Sequence, residues 1–197
     1  MTRPVGVLAL QGDVREHAGA LAALGADVVL VRRPEELAAV GGLVIPGGES
    51  SVIDKLARAF GLQQPIRDAI AGGMPVYGTC AGLILLADRI TDGIVGQETF
   101  GGLDVTVQRN AFGSQVDSFE TDLEVEGFDT PTHATFIRAP RVVEVGPAAR
   151  AIATLSDDAG GAVVAVTQGN LLGTAFHPEV SGETRFHELF LRRVRAA

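Results

Sequence analysis

The stretch Gly78-Thr79-Cys80-Ala81-Gly82 follows Met74-Pro75-Val76-Tyr77 and precedes Leu83-Ile84-Leu85-Leu86-Ala87. The first flank is a short, mostly apolar strand candidate, and the second is an apolar helix candidate. Between them lies a sharp strand-to-helix turn with a cysteine at its apex and a glycine two residues to either side. This is the nucleophile-elbow pattern, with sulfur in place of a serine oxygen. The turn is strained, and a Cβ at either flanking glycine would crowd the strand or the helix. The unpaired N–H groups and positive dipole end of a helix start favour a thiolate there. A lone cysteine is usually a small buried hydrophobe; the glycine-flanked turn is what argues otherwise for Cys80.

Working outward, the chain before the elbow alternates in type. Short apolar strand candidates fall at 5–10, 27–31, 42–46 and 75–79, with helix candidates near 14–24, 34–40, 49–59 and 62–72. Several of these strands are apolar on both faces, as a buried parallel sheet requires. Beyond the elbow, strand candidates dominate at 103–107, 119–125, 133–138, 141–145, 151–155, 162–167 and 171–176. Glycine, proline and acidic residues separate them, which predicts mixed or antiparallel pairing. A helix near 182–195 closes the chain, with Phe186, Leu189, Phe190 and Val194 as its apolar stripe. Residues 88–101 are the least regular stretch and the best candidate for a mobile loop. The fold class is therefore α/β: a single-domain open mixed sheet over 1–197, mainly parallel, with helices on both faces and a flavodoxin-like layout.

Two further stretches carry chemistry. His177-Pro178-Glu179 follows the apolar run Leu171–Phe176. Proline biases the preceding residue toward extended geometry. Positions two apart then share a side, so Glu179 could hold the His177 imidazole in one tautomer. Cys80, His177 and Glu179 together make a nucleophile triad. Leu43-Val44-Ile45-Pro46-Gly47-Gly48-Glu49-Ser50-Ser51 is a strand running through a glycine pair into a helix start. Its backbone N–H groups suit an oxyanion. It lacks the Gly-Lys-Ser/Thr of a P-loop, which counts against nucleotide phosphate binding.

Composition narrows the field. The 197 residues carry a net charge of −8 and have no basic run before the final helix, which argues against nucleic-acid and membrane-surface roles. Arg192, Arg193 and Arg195 are expected to complement the carboxyl end of that helix. The single cysteine excludes an internal disulfide. No segment reaches the ~18–20 apolar residues of a membrane helix. With no signal-peptide build before Val5–Leu10, a reducing, cytoplasmic setting is expected. His17, His133 and His187 stand outside the triad. His187 reads as an ordinary helix position and His17 as surface or interface packing. Gln11 is expected near the oxyanion loop or a partner interface.

Taken in order, Pro46–Ser50, Gly78–Gly82 and His177–Glu179 resemble the triad (class I) glutamine amidotransferases. Leu10-Gln11-Gly12-Asp13-Val14-Arg15-Glu16-His17, Arg109-Asn110-Ala111-Phe112-Gly113, Gln115-Val116-Asp117-Ser118-Phe119 and Phe136-Ile137-Arg138-Ala139-Pro140 further resemble the glutaminase subunits of pyridoxal 5′-phosphate synthases. The resemblance covers nearly the whole chain; Ser51 and Ser114 depart from it. It implies hydrolysis of L-glutamine to glutamate and ammonia, and an oxyanion site at the N–H groups of Gly48 and Ala81. It also implies glutamine binding by Gly48, Glu49, Ser50, Arg109, Ile137 and Arg138. No metal and no cofactor are implied. The implied partner is a barrel-shaped synthase subunit in a large hetero-oligomer that consumes the ammonia. Arg109 and Arg138 could instead be structural ion-pair partners. A cysteine peptidase, another amidotransferase subunit and a non-enzymatic binder on the same fold are the rival readings.

Overall fold

The computed structural model describes residues 3–109, 118–156 and 161–197. In the first half, β1 (Val5–Leu8), α1 (Val14–Ala23), β2 (Val28–Val31), α2 (Pro34–Ala39), β3 (Gly42–Ile45), α3 (Ser50–Ala59), α4 (Gln63–Ala71) and β4 (Val76–Thr79) alternate. α5 (Ala81–Leu86) leaves the elbow and runs directly into β5 (Ala87–Thr91). Then come β6 (Leu103–Gln108), β7 (Phe119–Leu123), β8 (Thr132–Phe136), β9 (Arg141–Val145), β10 (Arg150–Thr154), β11 (Val163–Gln168) and β12 (Leu171–Thr174). α6 (Pro178–Ser181) and α7 (Arg185–Ala196) follow.

The main sheet runs β2-β1-β3-β4-β12-β11-β9-β6-β5, with β10 paired to β11. β2, β1, β3, β4 and β12 are mutually parallel, as are β5 and β6; β11 and β9 introduce the antiparallel pairs. The four residues of β1, β3, β4 and β12 are all buried, so these strands are covered on both faces. β7 and β8 form a separate hairpin.

Side-chain alternation along β4 assigns the layers. Tyr77 points to the face holding α1 and α7, where its ring lies 6.5 Å from Phe186 and 6.3 Å from Phe190. Its hydroxyl reaches Thr174 Oγ1 at 3.2 Å, joining the two central strands. Gly78 points the other way, under α5. A Cβ there would lie 2.5 Å from the Gly82 carbonyl, and a Cβ at Gly82 would collide with the Ile45 carbonyl oxygen. The elbow's two glycines therefore let α5 sit directly on β4 and β3.

One expectation is corrected and two are filled out. Residues 87–91 are a strand, not the end of a helix or a loop, because they pair in parallel with β6 at the sheet edge. The rest of the irregular stretch bonds to α3 and α4 at its far end: Glu98 N donates to Asp54 Oδ2 at 3.1 Å, and Arg67 Nη2 donates to the Thr99 carbonyl. Arg193 lies in the last turn of α7, as expected, and has a second role. It donates to the Leu171 carbonyl and to Thr167 Oγ1, both at 2.8 Å, and so pins α7 across the β11–β12 turn. The last helix also buries His187 and Leu191 beside Phe186 and Phe190. The motif stretch after Arg109, through Asp117, lies outside the described residues.

Candidate active site

Four chain segments converge at the carboxyl ends of the parallel strands, where open α/β sheets place their sites. Cys80 follows β4 with φ 48° and ψ −100°, a left-handed φ that L-residues rarely adopt. Its own N–H is held by the Thr174 carbonyl at 2.8 Å, which fixes the apex against β12. Ala81 begins α5, where first-turn N–H groups have no intrahelical acceptor.

His177 follows β12 and is fixed by its N–H, which donates to the Thr135 carbonyl of β8 at 2.9 Å. Its Nδ1 lies 2.8 Å from Glu179 Oε1. The pairing expected from sequence is present, but not through an extended chain. Pro178 opens α6, and Glu179 sits in the first turn of that short helix. The Glu179 side chain is fully buried, and among the described residues its Oε2 has no hydrogen-bond partner. Burial raises its pKa, against the hydrogen bond and charge of His177. For His177, burial opposes the charged form. Hydrogen bonds to Asp13, Cys80 and Glu179 outweigh it, and its pKa is pushed up to about 12.

Asp13 was missing from the candidate residues. Its Oδ2 lies 3.3 Å from His177 Nδ1, so the imidazole faces two carboxylates. Asp13 lies just past β1 in the row of loops that forms the site. That position beyond a parallel strand was its only signal in the sequence. Asp13, His177 and Glu179 offer donor atoms within 4.8 Å of one another. Both carboxylates face the one ring nitrogen, which explains their grouping as acceptors for its N–H.

The glycine loop after β3 approaches from the side. Asp13 N donates to the Gly47 carbonyl at 3.1 Å, so the Gly48 N–H points to the opposite side of that planar peptide. Gly48 has φ 147°, which favours glycine, and a Cβ there would lie 2.5 Å from Gln11 Oε1. Gln11 Oε1 accepts the Glu49 N–H at 2.7 Å, so the expectation that Gln11 lies at this loop holds. Glu49 caps α3 through Ser51, accepting from its N–H at 3.3 Å and its hydroxyl at 3.0 Å.

A cavity of about 380 Å³ opens among these groups, within the range of small-molecule sites. Cys80, His177, Gly48, Glu49, Ser50, Arg109, Ile137 and Arg138 line it, with Gln11, Asp13, Ile84 and Val180. Glu179 stands behind His177. Arg109 is buried, and its guanidinium is engaged: Nη2 meets Glu49 Oε1 at 2.7 Å and Nη1 meets Gln97 Oε1 at 2.8 Å. Arg138 has φ 47°, a left-handed conformation at the cavity wall that sequence did not reveal.

Of the three off-triad histidines, His17 departs from the expected surface or interface packing. His17 and His187 are fully buried and face each other, with His17 Nδ1 2.9 Å from His187 Nε2. Exposed His133 pairs instead with Asp122 at 3.1 Å, and that hydrogen bond raises its pKa.

A glycine-flanked cysteine at a β-to-α elbow, facing an imidazole backed by a buried carboxylate, defines a cysteine-dependent amidotransferase-like architecture. The chain belongs to the SNO glutamine amidotransferase family, whose model matches residues 7–196. A relative from Leifsonia xyli subsp. xyli, described as pyridoxal 5′-phosphate synthase subunit PdxT, is 68% identical over 191 residues, spanning 96% of this chain and 95% of the relative. A relative from Clavibacter michiganensis subsp. michiganensis with the same description is 63% identical over 194 residues, spanning 98% and 91%. A solved glutamine amidotransferase superposes with TM-score 0.89 at 46% identity, covering 96% of this chain and 98% of its own. PurLQS from Thermotoga maritima shares the fold at TM-score 0.72 and 20% identity, covering 96% and 98%.

Proposed function

We propose that the chain is the glutaminase subunit of a pyridoxal 5′-phosphate synthase. It hydrolyses L-glutamine to L-glutamate and ammonia and passes the ammonia to a barrel-shaped synthase subunit in a large hetero-oligomer. The observation that carries the reading is that Cys80 and His177, the latter held by buried Glu179, line one cavity together with Glu49 and Arg109. Cys80 attacks the side-chain amide carbon. His177, which holds a proton strongly at rest, gives it to the departing ammonia. Acylation of the sulfur removes the Cys80 contribution to that proton's hold. The imidazole can then take a proton from water, and glutamate leaves the thioester. Gly48 and Ala81 N–H groups stabilise the oxyanion; losing one such donor typically costs ~10²–10³ in rate. The setting is cytoplasmic, where a reactive thiol stays reduced. Among the described residues no helix is long and apolar enough to cross a membrane.

Arg109 and Arg138 contribute to glutamine positioning alongside Gly48, Glu49, Ser50 and Ile137. Arg109→Lys keeps the charge but cannot hold Glu49 and Gln97 with one planar fork. The expected result is a raised KM for glutamine with a smaller change in kcat. An unchanged KM makes Arg109 a structural ion-pair partner.

The function is tested by following glutamate formation from glutamine with and without saturating synthase subunit. The free chain is expected to be weakly active and the complex faster, because docking orders the Gly47-Gly48 loop. Equal kcat values overturn the activation. Peptide cleavage in place of glutamine hydrolysis overturns the glutaminase assignment itself.

A further inference from the structure

We propose that His17 is a positioning residue of the glutaminase reaction: seated between Thr79 and Glu179 with His187 behind it, it fixes the triad acid against the strand that carries the nucleophile. The inference rests on the triad reading above. His17 projects from α1 and is 0% exposed. Its Nε2 lies 3.0 Å from Thr79 Oγ1, on the residue before Cys80, and 3.5 Å from Glu179 Oε1. That Oε1 is the same oxygen that meets His177 Nδ1 at 2.8 Å. One imidazole therefore touches the last residue of β4 and faces the first turn of α6. A buried imidazole costs free energy unless its polar atoms are used. Both of its nitrogens have partners.

The surroundings select a tautomer. Ionised Glu179 only accepts hydrogen bonds, so its oxygen repels a lone pair on Nε2 and favours an N–H there. Thr79 Oγ1 accepts that N–H. His17 Nδ1 is then the acceptor and takes the Nε2–H of His187 at 2.9 Å. Burial, then the neighbouring His187 and His177, push the His17 pKa well down. Burial also pushes His187 down to about 4, against a backbone hydrogen bond at Glu183 and the charge of that residue. Tyr77, whose ring sits edge-on to His17 at 6.3 Å, has its pKa raised by burial. The pocket behind Glu179 is thus uncharged, and His17 presents a dipole to the carboxylate instead of a second cation beside His177.

The test uses the full chain saturated with synthase subunit. His17→Gln keeps an N–H near the Nε2 position; His17→Met keeps the bulk without it. The methionine variant is expected to lose on the order of 10²-fold in kcat, as misplaced catalytic groups do, with little change in KM. The glutamine variant should recover most of that loss. In a Glu179→Gln background, His17→Met should cost nothing further, because it acts through Glu179. Undiminished kcat in His17→Met, or losses that multiply in the double variant, overturns the proposal. Cys80→Ala is assayed alongside: turnover there sinks the triad reading, whereas a dead Cys80→Ala beside a fully active His17→Met sinks only the role of His17. Nitrogen-15 NMR of the unmutated chain gives a check that no folding failure can block. At pH 7 His17 should be neutral with its proton on Nε2; an imidazolium or an Nδ1–H tautomer overturns the proposal.

Discussion

Cys80→Ala is expected to lower glutamine hydrolysis by ~10⁴-fold or more, as loss of other covalent catalytic groups does. The fold should survive. Cys80 is buried, but alanine keeps a Cβ, and the close contacts at the elbow are made by Gly78, Gly82 and the backbone. The left-handed φ of 48° strains cysteine and alanine alike, so it makes no difference in stability between the two chains. A glutamine-like electrophile should label Cys80 in the unmutated chain and leave the variant unlabelled. Circular dichroism and thermal melting separate loss of chemistry from loss of fold. Retained turnover in a folded alanine variant would refute the assignment of Cys80 as nucleophile.

The sequence displayed what depends on local backbone rules. Gly78 and Gly82 marked the elbow because only residues without a Cβ let α5 lie on β3 and β4. The apolar runs at Val5–Leu8 and Gly42–Ile45 marked central strands because parallel strands are buried on both faces. Ala87–Thr91 was hidden for the converse reason. It is an edge strand with polar, exposed positions, and its identity comes from pairing with β6 rather than from its own pattern. The bond between His177 and Glu179 was foreseen through the wrong geometry. Proline did restrict His177, but it also opened a helix, and the short turn delivered the carboxylate to the ring.

What the sequence hid was tertiary. Nothing local distinguishes His17 at the second turn of α1 from a surface histidine. Its partners, Thr79, Glu179 and His187, lie on β4, α6 and α7 and meet only once the sheet is assembled. Asp13 was likewise quoted within a motif and left without a role, since its approach to His177 spans most of the chain. The Arg109 bonds to Glu49 and Gln97 also required the fold. They make Arg109 an ion-pair partner of Glu49 on the wall of the cavity.

His177→Asn is expected to be nearly as damaging as loss of the cysteine, because both proton transfers pass through this ring. Glu179→Gln should be milder. It keeps the shape of the buried side chain but replaces a carboxylate that orients the ring with a neutral amide. Asp13 Oδ2, 3.3 Å from the same Nδ1, remains as a second acceptor and should hold part of the orientation. Losses of ~10⁴-fold or more for His177→Asn and about 10- to 100-fold less than that for Glu179→Gln follow the pattern of residues acting as a unit. The decisive measurement is the double variant. In the proposed mechanism Glu179 serves only by holding and charging His177, so removing both should cost no more than removing His177 alone. A double variant whose loss equals the product of the two single losses would mean that Glu179 acts on the substrate or the fold independently, and the shared unit would have to be abandoned. Asp13→Asn placed on Glu179→Gln gives the complementary result. With neither carboxylate facing Nδ1, the loss should approach that of His177→Asn, because nothing would then hold the imidazolium that the first proton transfer requires.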